Sequence, residues 1–421
     1  MRRGDGELDG DRASTLDGGV SNLDEMLGKR KPGRIHPSLD RIRAVLQQLD
    51  NPQRELRSIL VVGTNGKGST AAMLSAILDA SGLVVGLYTS PHLYRVTERI
   101  RVAGHEIPAE RLCAFLGELD HYPELTYFEA LTVAALLEFR HRGVDVAVLE
   151  AGMGGRWDAT RAAGSVIAGL TNIGTDHRRW LGPELEDIAA DKGAALAAAK
   201  VAIRGPGVSE SVIAALGAPD SQAASSWVRL EPTHRPDVLI ARWPSGLESE
   251  LGLPLAGHHQ VDNLHLALAL AAAAVDCGWC RALEQRALRA ALASVKWPGR
   301  CEEVNVGGRT VLLDGAHNLE GCRALASFLA AGPRRRNLVF SCLDDKPVEA
   351  MSAVLEPVVG DVVVFELEDE RAMPAARLTS AFRRAGLAAN ATAALAQLSD
   401  PVVVAGSLRL AWVLTAPGGS Q

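Results

Sequence analysis

Residues 63–70 read Gly-Thr-Asn-Gly-Lys-Gly-Ser-Thr, three glycines around one lysine with two hydroxyls behind. Glycines let a backbone curl closely around an anion, a lysine neutralises it, and a hydroxyl can reach a metal or a phosphate oxygen. The usual phosphate loop sets its leading glycine five places before Gly-Lys-Ser/Thr. Here Gly63 stands too close, and Gly68 delays the hydroxyl to Ser69. The pattern alone therefore leaves open both a cradle of altered spacing and a ligand-free turn. Glu150, followed by Ala-Gly-Met-Gly-Gly, offers hard oxygens suited to Mg²⁺. His177, in Asn-Ile-Gly-Thr-Asp-His, is a candidate for the same site, although a lone loop histidine is more often structural. Asp314, His317 and Asn318, in Leu-Leu-Asp-Gly-Ala-His-Asn, read equally well as a helix cap or as a cleft cluster.

Such residues need elements that carry them to one place. Residues 38–49 show helical spacing, 58–62 form a short apolar run, and helical periodicity resumes over 69–81. The glycine run thus joins a strand to a helix N-terminus, where unpaired N–H groups and the helix dipole favour phosphate. Strands are expected at 144–150 and 166–173, and a helix at 183–200. Alternating β and α segments imply a parallel sheet. Glu150 and His177 then fall at the carboxyl ends of strands, where open α/β sheets bind ligands. Residues 205–250 look loop-like, and 262–294 read as two helices broken near Gly278. Cys277 and Cys280 have redox-pair spacing but follow a helix, so the pair reads as a helix end. After Trp297-Pro298-Gly299-Arg300, strands at 310–314, 337–342, 362–366 and 402–405 alternate with helices at 319–331, 347–355 and 374–386. The expected organisation is a disordered extension over 1–20, a domain over 21–297 and a smaller α/β domain over 298–421.

Composition narrows the function classes. A chain of 421 residues suggests two cores rather than one. A net charge of −6 without a basic block argues against nucleic acid and anionic membranes, and 4% aromatics against base-stacking platforms. The apolar run 266–275 is too short for the roughly 20 residues of a bilayer span. The polar N-terminus lacks an apolar signal core, so a cytoplasmic protein is expected. Six scattered cysteines do not suggest a disulfide framework.

In order along the chain, GTNGKGST, TSPHL with ERIRVAG, LEAGMGGRWDAT, TNIGTDHRRWLG, HHQVDN, WPGR, LLDGAHN and AGSL resemble the folylpolyglutamate synthase/dihydrofolate synthase family of the Mur ligase superfamily. The likeness runs from about residue 35 to the end, and the ordered set is specific where each motif alone is modest. The resemblance implies a P-loop ATPase domain with a parallel-type sheet and a smaller Rossmann-like C-terminal domain. It also implies that the run at 63–70 is a cradle, with Asn65, Gly66, Lys67, Gly68, Ser69 and Thr70 on the ATP phosphates. By the same likeness Ser90 and Glu150 would bind one Mg²⁺, Glu150 and His177 a second, with Ser69 also a metal ligand, and Lys192 matches a lysine often carbamylated. Asn263 would meet adenine, while Arg300 and Asp314 would approach the ribose and phosphates. Phe128, Asp158 and Ala159 match a dihydropteroate pocket, and His317 the place of the incoming glutamate.

The implied chemistry is ATP-driven amide formation through an acyl phosphate, with Lys67, Glu150, His177 and Lys192 as catalytic groups, in a monomer acting on small molecules. Departures from the family pattern follow Lys192, replace an asparagine by Arg161, alter residues 35–42, and place Leu264 after Asn263. They bear on the acceptor rather than on the phosphate or metal residues. Two alternatives stand beside this reading: a Mur-type ligase for another carboxylate, from a cell-wall precursor or specialised metabolite, and a nucleotide-binding paralogue without turnover.

Overall fold

The computed structural model describes residues 37–410 apart from Pro236, together with Leu23, Met26, Leu27, Gly28 and Leu414. The extension expected over 1–20 lies outside the described residues.

Helix α1 (Asp40–Gln48) buries Ile42, Val45 and Leu46 and leads to strand β1 (Arg57–Val62). Ile59 and Val61 enter one core cluster, Leu60 and Val62 another, as alternation in a strand covered on both faces requires. Helix α2 (Lys67–Ala80) follows directly, then β2 (Val85–Tyr88), β3 (Ile100–Val102), β4 (His105–Glu106), α3 (Ala109–Leu119) and α4 (Tyr127–His141). The sheet continues with β5 (Val146–Glu150), β6 (Ile167–Asn172), α5 (Leu185–Ala197), β7 (Val201–Gly207) and β8 (Gln222–Ala223). Its strand order is β4-β3-β2-β5-β1-β6-β7-β8, parallel except where β3 meets β2 and β4. Helices α1, α3, α4 and α5 cover the face of Leu60 and Val62. The other face is covered by α2, α6 (His259–Asp276) and α7 (Gln285–Ala293).

The loop-like stretch at 205–250 is more ordered than its composition suggests. It forms β8 and a separate antiparallel sheet of β9 (Arg229–Pro232), β10 (Val238–Arg242) and β11 (Glu248–Gly252). Arg242 pairs across the sheet with Glu231 and Glu248, and Arg235, which precedes β10, pairs with Glu250, so these charges lie on the exposed side of the sheet. Helix α6 ends at Asp276 with Cys277 as its cap, and Cys277 and Cys280 are free thiols, in keeping with a helix end.

The third sheet comprises β12 (Glu302–Val306), β13 (Arg309–Leu313), β14 (Arg336–Phe340), β15 (Val359–Val364), β16 (Ala385–Leu387) and β17 (Val402–Ala405). Its order is β12-β13-β17-β14-β15-β16, parallel apart from the edge strand β12. Helices α8 (Leu319–Ala331), α9 (Val348–Leu355) and α10 (Ala375–Ala381) pack on one face and α11 (Ala391–Ala396) on the other. The helix expected over 374–386 stops at Ala381, because Phe382 turns extended and sets its ring edge-on to Phe340 in the core at 5.4 Å. The freed chain supplies β16.

Candidate active site

Strands β5, β1 and β6 are adjacent, and their carboxyl ends open on one edge of the first sheet. Glu150, the last residue of β5, stands in register with Val61 of β1. The chain leaves β1 through Gly63 and Gly66, both at positive φ (148° and 81°). A Cβ on Gly63 would lie 1.9 Å from Thr171 Oγ1, and one on Gly66 2.0 Å from Asn263 Oδ1, so only glycine fits either place. Helix α2 starts at Lys67, and its first N–H groups lack helical acceptors. Ser69 lines the cleft beside them. The hydroxyl of Thr70, one residue on, is buried without a partner among the described residues.

Lys67 Nζ donates to the carbonyls of Gly63 and Thr64, each at 3.1 Å. Lys192, on α5 and 2% exposed, donates to the same Gly63 oxygen from behind the loop at 2.9 Å. Burial, then the neighbouring charge of Lys67, lower the Lys192 ammonium to about 7.

Glu150 is buried at 4% exposure and accepts the Ser90 N–H at 2.9 Å. Burial raises its carboxyl, while Lys67, the Ser90 N–H, Arg300 and Arg99 pull in the opposite direction. His177 sits at φ 61° and begins the helical turn Arg178–Leu181. Desolvation brings its imidazole down to about 4 despite Asp176, so it is a neutral nitrogen donor at physiological pH. Glu150, His177 and the two serines Ser69 and Ser90 line one cleft. The carboxylate and the two hydroxyls would offer the hard oxygens that suit Mg²⁺, with the imidazole of His177 as a further donor. Among the described residues no three His, Cys, Asp or Glu side chains converge to form an all-protein cage.

Next to this set, Phe128 on the first turn of α4 lies 5.8 Å from the ring of Tyr88. Its ring would be 2.7 Å from a Cβ on Gly152, so that glycine lets the loop after β5 close on the aromatic wall. Asp158 accepts the N–H groups of Met153 (2.9 Å) and Thr160 (3.0 Å) and the Thr160 hydroxyl, and so shapes the loop over buried Ala159. Arg161 turns outward and donates to the Arg156 carbonyl at 2.8 Å, outside the cleft wall.

The third sheet closes the opposite side with Arg300, His317 and Lys346. The whole cleft measures about 1920 Å³. Asn65, Gly66, Lys67, Gly68, Ser69, Ser90, Phe128, Glu150, Asp158, Ala159, His177, Arg300 and His317 are thereby brought together. Thr70, Lys192, Asn263 and Asp314 stand behind the wall. Asn263 bonds to Gln260 at 2.8 Å and backs onto Gly66. Asp314 accepts the N–H groups of Cys301 and Ala316, each at 2.9 Å.

Among the charged residues that escaped the sequence reading are Asp176 and Lys346. Asp176 accepts from Lys346 Nζ at 2.7 Å and from Asn318 Nδ2 at 3.0 Å, with His317 Nε2 at 3.6 Å. Burial opposes its ionisation, but His177, Lys346 and His317 hold the carboxyl well below the usual range. The signals were present: Asp176 directly precedes His177, and Lys346 follows β14 as Glu150 ends β5.

Comparison with known proteins agrees with this architecture. Residues 61–203 match the Mur ligase middle domain, and residues 299–410 the Mur ligase, glutamate ligase domain. The dihydrofolate synthase/folylpolyglutamate synthase of Mycobacterium tuberculosis is 36% identical over 392 residues, covering 83% of this chain and 79% of that protein. The protein of the same name from Escherichia coli is 34% identical over 410 residues, covering 94% and 93%. Among solved structures, the bifunctional folylpolyglutamate synthase/dihydrofolate synthase of Yersinia pestis, complexed with AMPPNP and a Mn ion, superposes with a TM-score of 0.80. The identity there is 29%, and 94% of this chain and 97% of that one are covered. With both Mur ligase domains matched and the likeness running through nearly the whole chain, the protein belongs to the dihydrofolate synthase/folylpolyglutamate synthase family of Mur ligases.

Proposed function

We propose that the protein is an ATP-dependent ligase that joins L-glutamate to dihydropteroate, to reduced folates, or to both, through an acyl phosphate, releasing ADP and phosphate. The observation that carries this reading is the single cleft of about 1920 Å³, into which the phosphate loop, Glu150, His177 and Phe128 open from one side and Arg300 and His317 from the other. A pocket for one ligand holds roughly 300–1,000 Å³, so this cleft has room for a nucleotide, an acceptor and an amino acid together. Arg161 points away from it, so that departure leaves the acceptor wall unaltered.

In this reading the domain over 21–297 carries ATP and acceptor, and the domain over 298–421 brings glutamate. Asn65, Gly66, Lys67, Gly68, Ser69 and Thr70 supply the phosphate cradle, and Lys67 exchanges its two carbonyl partners for phosphate. Ser69, Ser90, Glu150 and His177 would hold Mg²⁺, which when bound would supply neutralising charge at the transferring phosphoryl group. Asn263, Arg300 and Asp314 serve the adenosine side; Phe128, Asp158 and Ala159 seat the pterin. The acceptor's carboxylate oxygen takes the phosphoryl group, ADP leaves, and the glutamate amine positioned by His317 displaces phosphate from the acyl carbon. With an ammonium lowered to about 7, Lys192 offers a neutral amine to which CO₂ can add, the modification its motif implies. Cleft closure excludes the water that would hydrolyse the acyl phosphate.

We further infer a cytoplasmic monomer; among the described residues no helix is long and apolar enough to cross a membrane. The deciding experiment is glutamate-dependent ADP release from Mg²⁺-ATP with dihydropteroate and tetrahydrofolate in parallel. Release with either or both identifies the acceptor. ADP release with neither, from a folded sample that binds ATP, refutes the folate reading.

A further inference from the structure

Asn318 is 2% exposed and joins the nucleotide side of the cleft to the third sheet. Its amide nitrogen donates to Asn65 Oδ1 at 2.9 Å and to Asp176 Oδ2 at 3.0 Å. Its amide oxygen accepts from Asn65 Nδ2 at 3.3 Å and from the Gly321 N–H at 2.8 Å. Two donors and two lone pairs are all an amide has, so every position is in use. A flipped amide would set oxygen against the Asp176 carboxylate and N–H against the Gly321 N–H, which leaves one orientation. Asp176 completes the seam through Lys346 at 2.7 Å, and Thr175 adds a bond to Glu320 at 3.1 Å. The Asn65 side chain therefore faces the C-terminal sheet, although its backbone belongs to the phosphate loop.

We propose that Asn318 is a positioning residue for ligation. By gathering Asn65 of the phosphate loop and Asp176 beside His177 into one amide, it seats His317 and Lys346 in register with the bound nucleotide. The inference rests on the proposed reaction, because it supposes that the amino acid is delivered from the third sheet. Helix capping alone does not account for the contacts, since the cap uses only one of the four hydrogen-bonding positions. Buried, fully satisfied polar networks of this kind fix a single arrangement, and a displacement of about 1 Å at a reacting group can cost on the order of 10²-fold in rate.

The test compares Asn318→Ser, Asn65→Ala and the double variant with the parent. Serine keeps an N-cap acceptor for Gly321 and loses the reach to Asn65 and Asp176. Glutamate-dependent ADP release gives kcat and each KM, calorimetry gives the ATP Kd, and scanning fluorimetry gives the melting temperature. The expected result is a fall of roughly 10–100-fold in kcat/KM for glutamate in either single variant, with the ATP Kd of Asn318→Ser within about threefold of the parent. The double variant should be no worse than the weaker single, since the two residues act as one unit. Asn318→Asp, which keeps the cap but opposes Asp176 with a second carboxylate, should fall further than Asn318→Ser. Glutamate kinetics within threefold of the parent in a folded Asn318→Ser, or multiplicative effects in the double variant, overturn the inference. A parent inactive with every folate acceptor overturns the reaction instead. The same four proteins then score the seam by melting temperature, where additive shifts reject it and non-additive shifts sustain it.

Discussion

Removing the ammonium of Lys67 isolates phosphate handling from folding. In Lys67→Ala the lost group is a cleft-facing amine bound, among the described residues, to the carbonyls of Gly63 and Thr64, and water can replace it at both. Lys192 still holds the Gly63 oxygen from behind at 2.9 Å, so the loop keeps its anchor. The change in stability should thus stay within about 1 kcal/mol, a shift of roughly 2–4 °C or less. On the reaction the effect is larger. A preorganised donor aimed at developing charge is worth about 10²–10³-fold, or ~2.7–4 kcal/mol at 1.36 kcal/mol per decade. Glutamate-dependent ADP release at saturating ATP and acceptor should therefore fall by that factor while the melting curve barely moves. A folded variant with kcat/KM within threefold of the parent would show that Lys67 does not face the phosphoryl group, and the assignment of the loop would fall with it.

Glu150→Gln keeps the shape and the acceptor for the Ser90 N–H but removes the charge, so Mg²⁺ titrations of activity should shift to higher metal by about tenfold or more; an unchanged titration withdraws Glu150 as a ligand. Gly66→Ala places a Cβ 2.0 Å from Asn263 Oδ1 at φ 81°, and should abolish nucleotide binding in calorimetry as well as lower the melting temperature, whereas parental ATP affinity would refute the cradle geometry. His92 accepts from Arg99 Nε at 2.9 Å, and burial and then Arg99 lower its imidazole from 6.5 to about 4. The unfolded chain therefore takes up this proton first: the contribution is complete above pH 6.5 and lost as pH falls toward about 4. Melting temperature should drop across that window, less steeply in His92→Gln, and equal slopes would reject the linkage.

The sequence revealed what is local. An apolar run halted by glycine located β1 and the loop, and the residues ending or following strands located Glu150, His177 and His317. Pairings made across the fold were out of reach: Asp176 and Lys346 lie 170 positions apart, and Asn65 and Asn318 lie 253 apart. Whether a polar residue faces ligand or supports a neighbour is likewise settled by tertiary packing. Asp158 lines the cleft and also accepts bonds from its own loop, and Asp314 accepts from Cys301 and Ala316, contacts that their motifs alone do not show. The strands β9–β11 are only 4–5 residues long and carry charged residues on their exposed side, so their stretch of sequence reads as loop. Phe382 ended a helix through a contact with Phe340 that no local pattern announces.

The shared carbonyl of Gly63 has a thermodynamic consequence. Two ammonium groups, Lys67 at 3.1 Å and Lys192 at 2.9 Å, meet on one oxygen, and their repulsion helps to lower Lys192 to about 7. On the proposed reading, polyanion binding would screen that repulsion and draw Lys67 outward, so nucleotide would favour the protonated Lys192. Linkage is reciprocal: binding ATP near neutral pH should take up a fraction of a proton, and affinity should weaken as pH rises through about 7. A carbamate on Lys192 would cancel the uptake. The number of protons exchanged, read from binding enthalpies in buffers of different ionisation heat, would thus report the chemical state of a buried lysine behind the cleft wall.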